Sequence, residues 1–254
     1  MHPEREPSSP VEWSEGRWSF LAIAEAAEAL PALVRQVASG SCPESWDRRS
    51  CGRDFIVIAP LELRGRGVRV VVRPYRRGGV VRRMIRATYW GRSPRSFDEF
   101  RCLLELRRRG VEAVAPVGAA AYWRGGWFYQ AWLATEYVEG SATLWEWLQK
   151  KPRDDERQRV LEATARVIAQ FHRAGGSHPD LNLQNVLVQW RGGAPCAWLV
   201  DLDRVALRAE ATHPYSTLRR LWRSATKLDR SREYWSDRDQ ALLEQAVERH
   251  WTEG

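Results

Sequence analysis

The sequence predicts an α+β chain in two parts, a strand-rich first half and a helix-rich second half that meet near residues 137–141. Three observations carry this. Residues 54–79, DFIVIAPLELRGRGVRVVVRPYRRGG, alternate apolar and polar side chains and are rich in Val and Ile, as half-buried antiparallel strands require. Residues 154–176, DDERQRVLEATARVIAQFHRAGG, repeat apolar residues at helical spacing, with Val160, Val167, Ile168 and Phe171 on one stripe and Gly175 as a stop. Between that helix and a helical C-terminal stretch of about fifty residues lies NVLVQWRGGAPCAWLVD, a hairpin pattern around an RGG turn.

The remaining elements follow in order. Residues 1–15 are polar and proline-rich and read as a loose arm, and FLAIAEAAEALPALVRQVAS (20–39) has helical spacing with Pro31 placed to break or kink it. This sets an N-terminal arm and helix at 1–53, a first lobe at 54–136 and a second at 137–254. RGRG at 64–67 reads either as a glycine loop or as a plain β-turn. SFDEFRCLLELRRRG (96–110) is a helix with Ser96 as N-cap, Glu99 as its capping-box partner and Gly110 past its end. WFYQAWLATEYVEG (127–140) is a strand ending in a connector, and ATLWEWLQ is again helical.

Composition narrows the partners. Of 40 basic residues only Lys150, Lys151 and Lys227 are lysines, and the formal net charge is +8. The bland reading of the arginine bias is a GC-rich genome, but the sign of the charge still favours phosphorylated ligands, nucleic acid or an acidic membrane surface. No RNA- or DNA-binding motif is present, so no nucleic-acid partner is expected. Cys42, Cys51, Cys102 and Cys196 are irregularly spaced, which fits reduced thiols in a cytoplasmic protein. The N-terminus has no apolar signal region, and no stretch reaches the roughly 18 apolar residues of a spanning helix, so a soluble or peripheral protein is expected.

The chemistry is concentrated in SHPDLNLQNVLV (177–188) and LVDLD (199–203). His178-Pro179-Asp180, then Asn185, a strand, a turn, a returning strand and Asp201 is the second-lobe arrangement of protein-kinase-like phosphotransferases. The expected fold is therefore bilobal and protein-kinase-like, an N-lobe β-sheet with one helix followed by a mainly helical C-lobe. Phosphoryl transfer needs an aligned hydroxyl, a role that falls to Asp180 as catalytic base. It also needs Mg²⁺ against the triphosphate of ATP, and Asn185 and Asp201 supply hard oxygen ligands.

In such folds a strand lysine pairs with a helix glutamate, yet no lysine precedes Lys150. The strand cation is then Arg73 in VVVRPY, paired with Glu99, with an exposed strand arginine as the bland alternative. Glu105 competes with Glu99 for the pairing. The connector TEYVEG, with Glu136 and Tyr137, is the hinge expected to receive adenine.

VVVRPYRRGGVVRRM, SFDEFRCLLELRRRGV, FHRAGGSHPDLNLQNVLV and LVDLDRVALR together resemble the Kdo (3-deoxy-D-manno-octulosonic acid) kinase branch of the lipopolysaccharide kinase family, over about residues 54–230. The resemblance implies ATP-dependent phosphorylation of a Kdo hydroxyl on a lipid A precursor, a glycolipid acceptor. It also implies peripheral contact with the cytoplasmic face of the bacterial inner membrane. The family's DFDR is DLDR here. Two other classes stay open: a kinase-like phosphotransferase with another acceptor (heptose, another small molecule or a protein), and a binding-only pseudokinase. The run Arg76, Arg77, Arg82, Arg83, Arg86 and Arg92, with Tyr89 and Trp90, reads as a grip on an anionic headgroup or as a solvated face. Residues 217–235 are amphipathic and basic, open between a membrane surface and ordinary packing.

Overall fold

The computed structural model describes residues 9–51, 54–75 and 88–253. The chain divides into two compact units: residues up to Leu104 with Ala115–Tyr137, and Glu105–Val114 with the residues from Val138 onward.

Among its described residues the first unit has eight antiparallel strands: β1 (Val11–Glu15), β2 (Trp18–Ala22), β3 (Asp47–Cys51), β4 (Asp54–Leu63), β5 (Arg66–Pro74), β6 (Tyr89–Trp90), β7 (Pro116–Gly125) and β8 (Phe128–Glu136). Their order is β1-β2-β7-β8-β5-β4-β3, and β6 pairs with the N-terminal end of β8. Helix α1 (Leu30–Ser39) buries Leu30, Leu33, Val34 and Val37 against a core that includes Phe20, Val57, Val70, Val72 and Trp132. Each such side chain contributes about 1.5–3 kcal/mol. Helix α2 (Arg95–Arg108) buries Phe97, Phe100 and Leu103, three residues apart, and Ser96 Oγ donates to the Ala120 carbonyl of β7 at 3.3 Å.

Three expectations for this unit change. Residues 11–22 are neither arm nor helix but the β1–β2 hairpin, whose second strand pairs with β7, as at Phe20↔Ala120. Phe20 is fully buried, and its ring stacks with Trp13 and Trp18. Pro31 does not break a helix; it sits in the first turn of α1, where its missing N–H costs nothing. Likewise α2 begins before Ser96, so Ser96 does not cap it. Its hydroxyl is spent on β7, and the Glu99 carboxylate is engaged elsewhere, as described below. RGRG is the tight β4–β5 turn, with Leu63↔Arg66 as its closing pair.

The second unit contains β9 (Ala142–Thr143), α3 (Leu144–Leu148), α4 (Asp154–Arg173), β10 (Gly176–Ser177), β11 (Val186–Arg191), β12 (Ala194–Leu199), β13 (Ala206–Leu207), α5 (Tyr215–Leu228) and α6 (Asp237–Thr252). A Thr143–Glu146 capping box starts α3, and a Ser236–Asp239 box starts α6. Asp239 also holds Arg157 of α4 at 2.6 Å, an ion pair with both partners largely buried. Val160, Val167, Ile168 and Phe171 of α4 are fully buried, as the stripe requires. The β11–β12 hairpin turns through Gly192 and Gly193, φ +54° and +78°, a pair of positive angles that suits the strand twist. Gly175, φ +80°, ends α4 where a side chain would run into the Arg208 carbonyl, and Arg208 N–H donates to the Gly175 carbonyl at 2.9 Å. That close approach sets the start of the 178–185 loop.

Candidate active site

In the second unit the 178–185 loop runs from β10 into β11. Leu181 and Leu183 are buried and anchor it, leaving Asp180 exposed between them and Pro179. Asn182 organises the loop: its Nδ2 donates to the Asp180 carbonyl at 3.1 Å, and its Oδ1 accepts from Gln184 N–H at 2.8 Å. Asn185 is buried, and its Oδ1 accepts from Asn182 N–H at 3.0 Å. A carbonyl oxygen has two lone pairs, so this bond orients the amide and leaves one lone pair for a cation. Val200 N–H donates to the Asn185 carbonyl at 2.9 Å, which places Asp201, the next residue, at the neighbouring strand end. The two proposed cation ligands thus come from adjacent ends of one hairpin.

Asp201 has φ +56° and Arg204 φ +64°, left-handed conformations that non-glycine residues seldom adopt. His178 binds the Asp201 backbone at this point. This imidazole is buried; Nδ1 accepts from Asp180 N–H at 2.9 Å, and Nε2 faces the Asp201 carbonyl at 2.9 Å. An acceptor at Nδ1 and a carbonyl at Nε2 require the tautomer with its proton on Nε2. One ring therefore ties the backbone of Asp180 to the backbone of Asp201. Arg220 of α5 adds a bond to the His178 carbonyl at 3.2 Å. The sequence pattern contains His178 but does not reveal this link, because its second partner lies 23 residues away.

In the first unit, Arg73 on β5 meets Glu99 on α2. Arg73 Nη2 donates to both carboxylate oxygens, at 2.9 and 2.7 Å. The Glu99 side chain is 1% exposed and that of Arg73 27%. Tyr75 Oη also donates to Glu99, and the Arg73 guanidinium lies over the Tyr75 ring at 4.8 Å. Glu105 is not the partner. It accepts from Arg108 and Arg109, whose hydrogen bonds hold its carboxyl at about 2.

The connector residues are held from the backbone. Glu136 N–H donates to the Ala115 carbonyl at 2.8 Å and Tyr137 N–H to the Arg69 carbonyl at 2.9 Å, so neither amide is open to a base. Their side chains face arginines as well: Arg66 pairs with Glu136 at 2.8 Å, and Arg49 and Arg69 lie over the Tyr137 ring. Of the basic run, Arg76, Arg77, Arg82, Arg83 and Arg86 lie outside the described residues, whereas Arg92 stands over Trp127.

Residues 61–246 match the model of the lipopolysaccharide kinase (Kdo/WaaP) family. The chain belongs to this family. Relatives named 3-deoxy-D-manno-octulosonic acid kinase are 39% identical over 233 residues in Xanthomonas axonopodis pv. citri (strain 306), covering 85% of this chain and 86% of the relative. One from Vibrio vulnificus (strain YJ016) is 36% identical over 181 residues, covering 69% and 74%. A solved structure of WaaP in complex with acyl carrier protein superposes with a TM-score of 0.52 at 20% identity, covering 87% of each chain. The fold is α+β and protein-kinase-like, an antiparallel sheet with α1 and most of α2 in one unit and a mainly helical second unit. In this Kdo/WaaP family chain, both sets of site side chains stand on segments inside the family match.

Proposed function

We propose that this protein is an ATP-dependent sugar kinase that phosphorylates a hydroxyl of Kdo on a lipid A precursor, a step in building the lipopolysaccharide inner core. The observation that carries the reading is the 39% identity to Kdo kinases across most of both chains. The side chains suit the reaction. Asp180, exposed at the tip of an anchored loop, accepts the proton of the attacking hydroxyl and aligns it with the γ-phosphorus. Asn185 and Asp201 would hold Mg²⁺, which when bound neutralises triphosphate charge. Arg73, kept extended by Glu99 and Tyr75, grips the phosphates with a planar cation where related folds use lysine. The adenine contact falls to backbone groups of the connector other than the Glu136 and Tyr137 amides.

None of the described helices is long and apolar enough to cross a membrane. A glycolipid acceptor therefore implies peripheral contact with the cytoplasmic face of the inner membrane. The test is transfer of labelled phosphate from ATP to Kdo-bearing lipid A precursor, dispersed in detergent, beside free Kdo, heptose-bearing acceptors and proteins. Labelling of the Kdo acceptor alone is expected. Preference for another acceptor would make the protein a different phosphotransferase, and labelling of none would make it a binding-only relative.

A further inference from the structure

We propose that the tip formed by β6 and the β7–β8 turn is the surface that docks this protein on an anionic lipid bilayer; this rests on the glycolipid reading above. Trp90, Trp127 and Phe128 are 59%, 47% and 50% exposed. They form one patch: the Trp90 and Trp127 rings are 5.5 Å apart, and Trp90 pairs with Phe128 across β6 and β8. The base beneath them is firm. Tyr89 and Tyr129 are buried and stacked at 5.8 Å, Trp123 abuts Tyr129 at 5.3 Å, and Gly91 N–H donates to the Trp127 carbonyl at 3.0 Å. Three large rings are thus held out in water by a rigid support.

The two segments themselves carry charge of one sign. Residues 88–93 and 123–128 carry Arg92 and Arg124 and no carboxylate. Arg92 lies 5.2 Å over the Trp127 ring, and Arg124 donates to Gln130 at 3.3 Å. The carboxylate nearest in sequence, Asp98 on α2, accepts from Ser93 Oγ at 2.9 Å. Tryptophan rings settle at the headgroup level of a bilayer, and adjacent guanidinium groups pair with lipid phosphates. A second copy of the chain would bury the same rings, but in an isologous contact it would bring Arg92 and Arg124 near their own copies. An anionic surface accommodates both features.

The test is co-sedimentation of the full chain with vesicles of equal parts phosphatidylethanolamine and phosphatidylglycerol, against phosphatidylcholine vesicles, without nucleotide or acceptor. The parent should bind the anionic vesicles preferentially. Trp90→Ser/Trp127→Ser/Phe128→Ser should weaken partitioning by about a hundredfold, and Arg92→Ala by about fivefold. Transfer to detergent-dispersed acceptor should stay at the parent level in both. Since the serine variant can lose its fold, tryptophan quenching by bromine-labelled lipid provides a second reading. Quenching in the parent should fall in the conservative Trp90→Phe/Trp127→Phe variant. Unchanged vesicle binding in a folded serine variant, or no quenching in the parent, overturns the proposal. So does loss of binding with Arg223→Glu/Lys227→Glu on α5 while the serine variant still binds. A dimer that the serine substitutions dissolve, without vesicle binding, would assign the face to a second copy. Failure of the kinase reading would appear separately, as absent transfer in detergent whatever the vesicles show.

Discussion

Replacing Arg73 by methionine, alone and together with Glu99→Gln, separates what this ion pair does for the fold from what Arg73 does for ATP. Glu99 is 1% exposed, and Arg73 reaches both of its oxygens within 2.9 Å. Removing one partner of a buried pair costs about 3–5 kcal/mol, since the other charge stays desolvated. Arg73 is itself 27% exposed, which places Arg73→Met at the lower end, about 3 kcal/mol. Neutralising Glu99 as well removes the stranded charge while Tyr75 Oη still has an oxygen to donate to. The double variant should therefore recover all but about 1 kcal/mol. Turnover should not follow stability. Charge stabilisation and positioning supply most of the catalysis of phosphoryl transfer, so both variants should lose orders of magnitude. Arg73→Lys should regain only part, because a point charge does not replace the planar fork. Urea denaturation gives the first quantity and initial rates of transfer give the second. A double variant that regains turnover along with stability would refute the phosphate-gripping role. Near-parental turnover in Arg73→Met would move that role to another arginine.

Four further outcomes are expected. Asp180→Ala should abolish transfer and leave ATP affinity nearly intact, as calorimetry with Mg·ATP would show; lost affinity with no specific effect on transfer would reassign Asp180. Asp201→Asn should weaken Mg²⁺-dependent nucleotide binding by removing an anionic ligand, and titrations matching the parent would exclude it as a ligand. His178→Phe removes both backbone links, so the rate should fall about tenfold or more through misplaced Asp180 and Asp201; unchanged rates in a folded variant would deny the link a role. Acid should destabilise the fold through His172, which burial, and then the positive charge of His213, holds down at about 4. Its unfolded value is about 6.5, so the unfolded chain protonates first. Stability is full above that value and falls by up to about 3 kcal/mol as pH drops toward 4. Denaturation midpoints across that range should show the slope, and His172→Gln should flatten it.

How much of this was legible beforehand differs by segment. The 178–185 loop, the glycine turn of the β11–β12 hairpin and the α4 stripe were readable because each depends on neighbours within a few residues. The absence of lysine before Lys150 also pointed to an arginine on β5. Periodicity could not choose between Glu99 and Glu105, which both lie on α2. The choice follows from which face of α2 is buried: Phe97, Phe100 and Leu103 turn inward and carry Glu99 toward β5, while Glu105 turns to Arg108 and Arg109. Residues 20–22 misled for a related reason. Their apolar run suits helix or strand, and only pairing with β7, a hundred residues on, makes them a strand with Phe20 in the core. The exposed rings of Trp90, Trp127 and Phe128 were equally invisible as a patch, since two distant segments meet to form it. The sequence by itself determined the local chemistry: the glycine turn of the hairpin, the helical stripe of α4 and the spacing of Asp180, Asn185 and Asp201. The tertiary structure decided which distant groups share a buried space, because desolvation acts on surfaces brought together by folding and not on neighbours along the chain.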